Sequence, residues 1–213
     1  MNRGTFVQTK QGLSASYEMY KEGKRFATAE IPKDIVNTDL FFYGSLNKKY
    51  VLRRISISDL KRKNIDVYRS WVPYAIFSET EEICGYIYNK KTRGVFKGYV
   101  YEQIQFLGRE YVVYTISIPK EGTKYAIYRF EGAEHQVALI EKPEIVYNRL
   151  DEYFWMALYE EDIEVIGLYL LYIDFMMNSV HRLETVTESK EVSRGKTLNK
   201  DLLKKYNEGF KSL

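Results

Sequence analysis

Groups able to transfer protons, attack an electrophile or hold a metal are sparse in this chain, which has two histidines, His135 and His181, and one cysteine, Cys84. Isolated positions of this kind define neither a Ser/His/Asp nor a Cys/His arrangement, and no Cys/His spacing of a structural zinc site is present. Cys84 lies in an apolar run, where a small buried hydrophobe is the ordinary outcome, and without a second cysteine it forms no internal disulfide. Gly195-Lys196-Thr197 echoes the end of a P-loop, but Lys190 stands where that motif needs its first glycine, and no G-x-G-x-x-G occurs. The acids Glu160, Glu161, Asp162 and Glu164 lack the alternating ligands and central glycine of an EF-hand. They read instead as negative charge at a helix start, where the dipole is positive. Paired carboxylates of the glycosidase type meet only in the fold, and among 29 acids no pair stands out. No catalytic residue, metal ligand or cofactor is assigned.

Basic residues are more informative. Lys48, Lys49, Arg53, Arg54, Lys61, Arg62, Lys63 and Arg69 crowd one stretch, and Lys90, Lys91, Arg93 and Lys97 a later one. Residues 1–150 carry 24 Lys/Arg against 17 Asp/Glu, while residues 151–174 carry seven acids and no base. The net charge of +3 therefore conceals a localised positive surface. Such a surface attracts phosphorylated head groups and other anions, most strongly at low salt. Arg53, Arg54, Lys90, Lys91 and Arg93 are the candidate anion contacts, as cations that hydrogen-bond to phosphate oxygens. An anionic lipid or a phosphorylated ligand is the expected partner, in preference to nucleic acid.

The elements that must position these residues are mostly strands. Of the 213 residues 15% are aromatic, including 20 Tyr and 11 Phe, a composition that excludes intrinsic disorder and favours sheet. Short runs rich in Tyr, Val, Ile and Phe follow one another from Thr5 to Tyr159, separated by turns bearing Gly, Lys and Glu. The clearest are Tyr17–Tyr20, Phe26–Ile31, Tyr50–Ile57, Tyr74–Phe77, Ile83–Tyr88, Tyr99–Phe106, Tyr111–Ile118, Tyr125–Phe130, Val137–Glu141 and Tyr153–Tyr159. In YVYEQIQF, Val100, Glu102, Ile104 and Phe106 share one face, on which Glu102 is the odd member. Tyr17-Glu18-Met19-Tyr20, Tyr74-Ala75-Ile76-Phe77 and Tyr125-Ala126-Ile127-Tyr128 each lead through a polar turn into a second alternating arm, a loose internal repeat of a β-hairpin.

From Glu160 the period changes. Ile163 to Met177 is apolar except for Glu164, Gly167 and Asp174, a helix of about 22 Å and too short for a membrane span. A helix apolar on nearly every side must be surrounded by protein. In a chain otherwise made of strands, a sheet closed into a barrel around it is the simplest enclosure. The predicted fold is therefore mainly β, a closed antiparallel barrel on a central hydrophobic helix, spanning residues 1–178 with the helix at 160–178. Residues 179–213 form a polar tail with eight Lys/Arg and five Asp/Glu, in which Leu198, Leu202, Leu203, Tyr206 and Phe210 could line one side of a short helix. The tail is expected to be mobile or docked on the barrel. No continuous apolar stretch opens the chain between Met1 and Tyr20, so a cytoplasmic location is expected, peripheral at the membrane surface if lipid is bound.

The three Tyr-led hairpins, the segment Ala138-Leu139-Ile140-Glu141-Lys142-Pro143 and the helix Glu160–Asn178 together resemble the tubby C-terminal-like group, which includes the LURP-one-related proteins and the phospholipid scramblases. The resemblance covers residues 5–178 and rests on pattern rather than on an invariant motif. It implies about twelve strands around the helix and, from tubby domains, phosphoinositide binding through a basic surface patch. The chain lacks the membrane-crossing helix and Cys-rich palmitoylation segment of a scramblase. The expected function is thus non-enzymatic binding on the outer barrel surface, because the helix fills the interior. Two alternatives stand beside it, a protein-interaction module working through the tail from Thr197 to Phe210, and an enzyme whose carboxylates and His135 meet at a barrel rim.

Overall fold

Alternating inward and outward side chains build twelve strands that hydrogen-bond into a closed antiparallel barrel in the computed structural model, which describes residues 1–10, 14–33, 39–68, 72–92, 98–118, 121–142, 145–146, 152–178, 190–191 and 199–213. The strands are β1 (Asn2–Lys10), β2 (Ala15–Lys21), β3 (Lys24–Ile31), β4 (Leu40–Tyr43), β5 (Lys49–Arg54), β6 (Tyr74–Ser78), β7 (Ile83–Lys91), β8 (Val100–Phe106), β9 (Arg109–Ile118), β10 (Gly122–Phe130), β11 (Glu134–Lys142) and, after the two-residue β12 (Ile145–Val146), β13 (Glu152–Ala157). Each pairs with its neighbour in sequence from β1 to β11, and β13 closes the ring between β11 and β1. The two-residue β14 (Lys190–Glu191) pairs with β12 outside the barrel. The expected strands are all present, but β1 and β4 were not among the clear runs, and the run Tyr50–Ile57 ends early. Its last residue opens α1 (Ile57–Arg62), which Ser56 caps by accepting from Asp59 N–H. Helix α1 lays Leu60 over the outer face of β6 and β7, against Ala75, Tyr86 and Tyr88.

The three Tyr-led stretches are hairpins with a shared irregularity. β2–β3, β6–β7 and β10–β11 recur at every fourth strand, and each slips register at the same step, between Met19 and Tyr20, Ile76 and Phe77, and Ile127 and Tyr128. A slip of this kind bends and twists the strand locally, as closure of a sheet requires. The leading tyrosines Tyr17, Tyr74 and Tyr125 all point inward and are buried. They ring α2 (Ile163–Asn178). Tyr17 donates to Asp174, Tyr74 packs on Tyr172 and Phe175, and Tyr125 packs on Tyr169.

Ile163 and every residue from Val165 to Ile173 other than Gly167 is at most 1% exposed, which places the helix at the centre of the principal core. A Cβ on Gly167 would lie 2.5 Å from the Phe42 ring and 2.9 Å from Met19 Sδ, so the glycine lets α2 approach the barrel wall. The acids of this segment do more than complement the helix dipole, since each finds a partner on the wall. Asp162 accepts from Tyr111 at 2.8 Å and from Arg129 at 3.2 Å. Glu164 accepts from Ser45 at 2.9 Å and Tyr50 at 3.1 Å. Asp174 accepts from Tyr17 at 2.5 Å and Tyr153 at 2.7 Å, with Lys142 at 3.9 Å. Buried carboxylates held in this way orient the helix as well as stabilise it.

The end of the chain docks on the barrel. After α3 (Lys200–Leu203) it crosses the outer face of β9–β11 and β13, burying Leu202 beside Val112 and Ala126 and Phe210 beside Leu139 and Met156. Lys205 pairs with Glu134 at 2.7 Å and Lys211 with Glu141 at 2.6 Å. The expected one-sided helix is thus a four-residue helix and a 3-10 turn over Glu208–Ser212. Leu203 faces outward at 38% exposure, and Thr197 and Leu198 lie outside the described residues.

Candidate functional site

Of the five candidate cations, Arg53, which faces outward beside Ala75, is already engaged. Its guanidinium donates to both oxygens of Asp39, at 2.9–3.2 Å, and to Glu81 at 2.9 Å, while stacking on Phe77. Those hydrogen bonds, with Asp39 the stronger partner, hold its proton still more tightly than usual. Arg93 lies outside the described residues. Arg54, Lys90 and Lys91 have no carboxylate within ion-pair distance among the described residues, and the two lysines sit over the rings of Tyr88 and Tyr68, at 5.9 and 5.2 Å. The register places Arg54 opposite Tyr74 and Tyr74 opposite Ile87, three residues short of Lys90. Arg54 and Lys90 are therefore about 10 Å apart across the sheet and about 10 Å along it. They do not converge on one group.

The other chemistry-bearing residues are accounted for locally. Burial raises the Cys84 thiol above its ordinary range, so it is a thiol rather than a reactive thiolate. His135 is half-exposed near the β10–β11 turn, with Nε2 4.0 Å from Glu131. The acids at that rim, Glu131, Glu161 and Asp162, all converge on Arg129. The carboxylates nearest His135 are thus engaged with Arg129 in ion pairs. His181 and Gly195-Lys196-Thr197 lie outside the described residues. Among the described residues no cluster of three or more His, Cys, Asp or Glu could hold a metal.

A different site is found inside. The helix does not fill the barrel completely: a cavity of about 250 Å3 remains between the C-terminal half of α2 and strands β7–β10, lined by Asn89, Val100, Glu102, Thr115, Tyr125, Ile173 and Met177. Glu102 and Asn89 are direct cross-strand partners with both side chains turned inward, at 5% and 2% exposure. The inward turn of Glu102 follows from strand alternation, which puts it on the face of Ile104 and Phe106. Its one hydrogen bond from a side chain is a long one, 3.5 Å from the Thr115 hydroxyl. Burial pushes its carboxyl up to about 7, with its own backbone N–H and Thr115 lowering it only in part. Asn89 Oδ1 and the Tyr172 hydroxyl have no hydrogen-bond partner among the described residues. The Tyr169 hydroxyl meets only Thr115, outside hydrogen-bonding geometry. Burial keeps both phenols un-ionised.

Buried polar atoms are ordinarily paired, because each unpaired one costs about 1–3 kcal/mol. The acids at both ends of α2 follow that rule, and the floor of this cavity breaks it. Sequence alone marked Glu102 as a polar intruder on an apolar face. It gave no sign of Asn89, which becomes its neighbour only through the β7–β8 register.

Compared with protein-family models, curated proteins and solved structures, the chain gives no significant match. Fold and site together define a helix-filled antiparallel barrel with a polar-floored cavity at one end. Among the described residues no helix is long and apolar enough to cross a membrane.

Proposed function

We propose that the chain is a non-enzymatic, cytosolic binding protein of the tubby C-terminal-like kind, whose ligand site is the cavity at the C-terminal end of α2. The observation that carries this reading is a pair of buried neighbours on the cavity floor, Glu102, an acid without a cation partner among the described residues, and Asn89, whose Oδ1 has no hydrogen-bond partner there. Incomplete pairing of this kind is costly to folding, and beside a cavity it leaves polar groups that a ligand could satisfy. Kinship with the tubby-like group is supported by the twelve-strand count and the central helix. The cavity suits a small, partly apolar molecule, since Val100, Ile173 and Met177 line it beside the polar floor.

Selective methyl labelling tests the site directly. Of the five methionines, Met177 lines the cavity, Met19 is in the core and Met156 lies under the C-terminal segment. Millimolar n-hexanol, n-hexylamine and n-hexanoate are the probes. At least one should shift the Met177 methyl signal while leaving Met19 and Met156 in place. No Met177 response to any of the three would contradict the reading.

A second reading is favoured by Lys90 on the outer face and by Arg54 and Lys91 at exposed strand ends on the barrel rim, cations without carboxylate partners among the described residues. It assigns the outer surface and rim at this end of β5 and β7 to anionic phospholipid head groups or a phosphorylated ligand. Co-sedimentation with anionic vesicles that persists at near-physiological salt, and is lost on Lys90→Glu with Lys91→Glu, would support it. Binding only at low salt reduces these cations to background charge.

A further inference from the structure

We infer that the cavity takes a small aliphatic primary amine, its ammonium group set between the Glu102 carboxylate and Asn89 Oδ1 and its carbon chain lying along Val100, Ile173 and Met177. This rests on the reading of the cavity as the ligand site and names the chemistry of its occupant.

Each polar group on the floor presents an acceptor in need of a donor, the Glu102 carboxylate and the amide oxygen of Asn89. The Glu102 carboxylate receives only the long bond from Thr115, and Asn89 Oδ1 receives none. As direct cross-strand partners they stand side by side, with Cβ atoms about 5 Å apart. A primary ammonium carries three donors on one compact centre and can reach both at once. A carboxylate ligand would bring like charge to Glu102, and an alcohol has one donor for two acceptors.

No cation among the described residues pairs with this floor. Facing Glu102 are Asn89 from β7, Thr115 from β9, Tyr125 from β10 and the phenols of Tyr169 and Tyr172 from α2. Among the described residues Glu102 has no cation within ion-pair distance. Lys91, register partner of Val100, shares the inward face with Asn89 at the end of β7, and its Nζ is turned to the Tyr68 ring, 5.2 Å from the centroid. An incoming ammonium would thus meet an acid that burial holds near half protonation at neutral pH. Binding shifts that acid to its carboxylate and releases its proton to solvent, so affinity should rise with pH.

Calorimetry of the full chain with n-hexylamine, n-hexanol and n-hexanoate at pH 6 and pH 8 tests this. Only the ionised fraction of Glu102 is competent, about one-tenth at pH 6 and about nine-tenths at pH 8, so hexylamine should bind about tenfold more tightly at pH 8. Glu102→Gln should remove that pH dependence and most of the affinity, and Asn89→Leu should weaken hexylamine more than hexanol. Thermal unfolding checks that both variants fold. Equal binding of hexanol or hexanoate, or hexylamine affinity unchanged in Glu102→Gln, would overturn the amine assignment. In that case the Met177 methyl still responds and the cavity stands. Silence of Met177 towards all three probes removes the cavity itself as the ligand site.

Discussion

Glu102 shows how a single ionisable group inside a barrel couples stability to pH. Its carboxyl sits at about 7 in the fold against 4.5 in an exposed chain, and burial is the main cause. The folded state therefore binds a proton that the unfolded state has already lost between those two values. Below about pH 4.5 both states are protonated and the group costs nothing. As pH rises towards 7 the cost grows by about 1.4 kcal/mol per unit, and above 7 it levels at about 3 kcal/mol. Glu102→Gln should accordingly match the parent protein near pH 4.5 and exceed it by up to about 3 kcal/mol at pH 8, read from denaturant unfolding at the two pH values. A stability difference that is the same at both pH values would show that Glu102 is not protonated in the fold.

At the scale of the element, α2 is held by polar latches as well as by packing. Asp174 joins the helix to β2 and β13 through Tyr17 and Tyr153 and faces Lys142 of β11. Asp174→Ala removes the acceptor that these groups share, and a loss of about 3 kcal/mol or more is expected in denaturant unfolding. Gly167 has the opposite role, because it is the absence of a side chain that seats the helix against Phe42 and Met19. Gly167→Val should cost about 2 kcal/mol, through crowding that the barrel wall cannot relieve cheaply. The apolar run of α2 and its length were plain in the sequence, because a helix buried on all sides leaves no periodic polar face. Its latches were not. Asp174 and Glu164 looked like a weak polar stripe, since two of the tyrosines that donate to them, Tyr17 and Tyr50, come from strands more than a hundred residues away.

At the scale of the whole molecule, the barrel is a repeat of Tyr-led hairpins closed by β13, and the C-terminal segment straps its outer face. The hairpins were legible because alternation and turn residues are local signals. β1 and β4 were not, since the first is mostly polar along its outer face and the second is only four residues long. The basic stretches were visible as composition, but pairing consumed Arg53 through Asp39 and Glu81, a long-range outcome that composition does not encode. The strap changes what tail removal should do. Phe210 is 1% exposed against Leu139 and Met156, so Phe210→Ala should cost about 3 kcal/mol, and deletion of residues 199–213 should lower the melting temperature of the barrel. An unchanged melting temperature after deletion would restore the tail as a free interaction segment. Between the shell and its helix lies a cavity with a buried acid on its floor, and the state of that acid decides whether the cavity is a site. The most direct measurement is a carbon-13 NMR titration of the Glu102 side-chain carboxyl, assigned against Glu102→Gln, with and without n-hexylamine. A midpoint at about 7 in the free protein, moving down when the amine is added, is the predicted result. A midpoint near 4.5 that the amine leaves in place would contradict it.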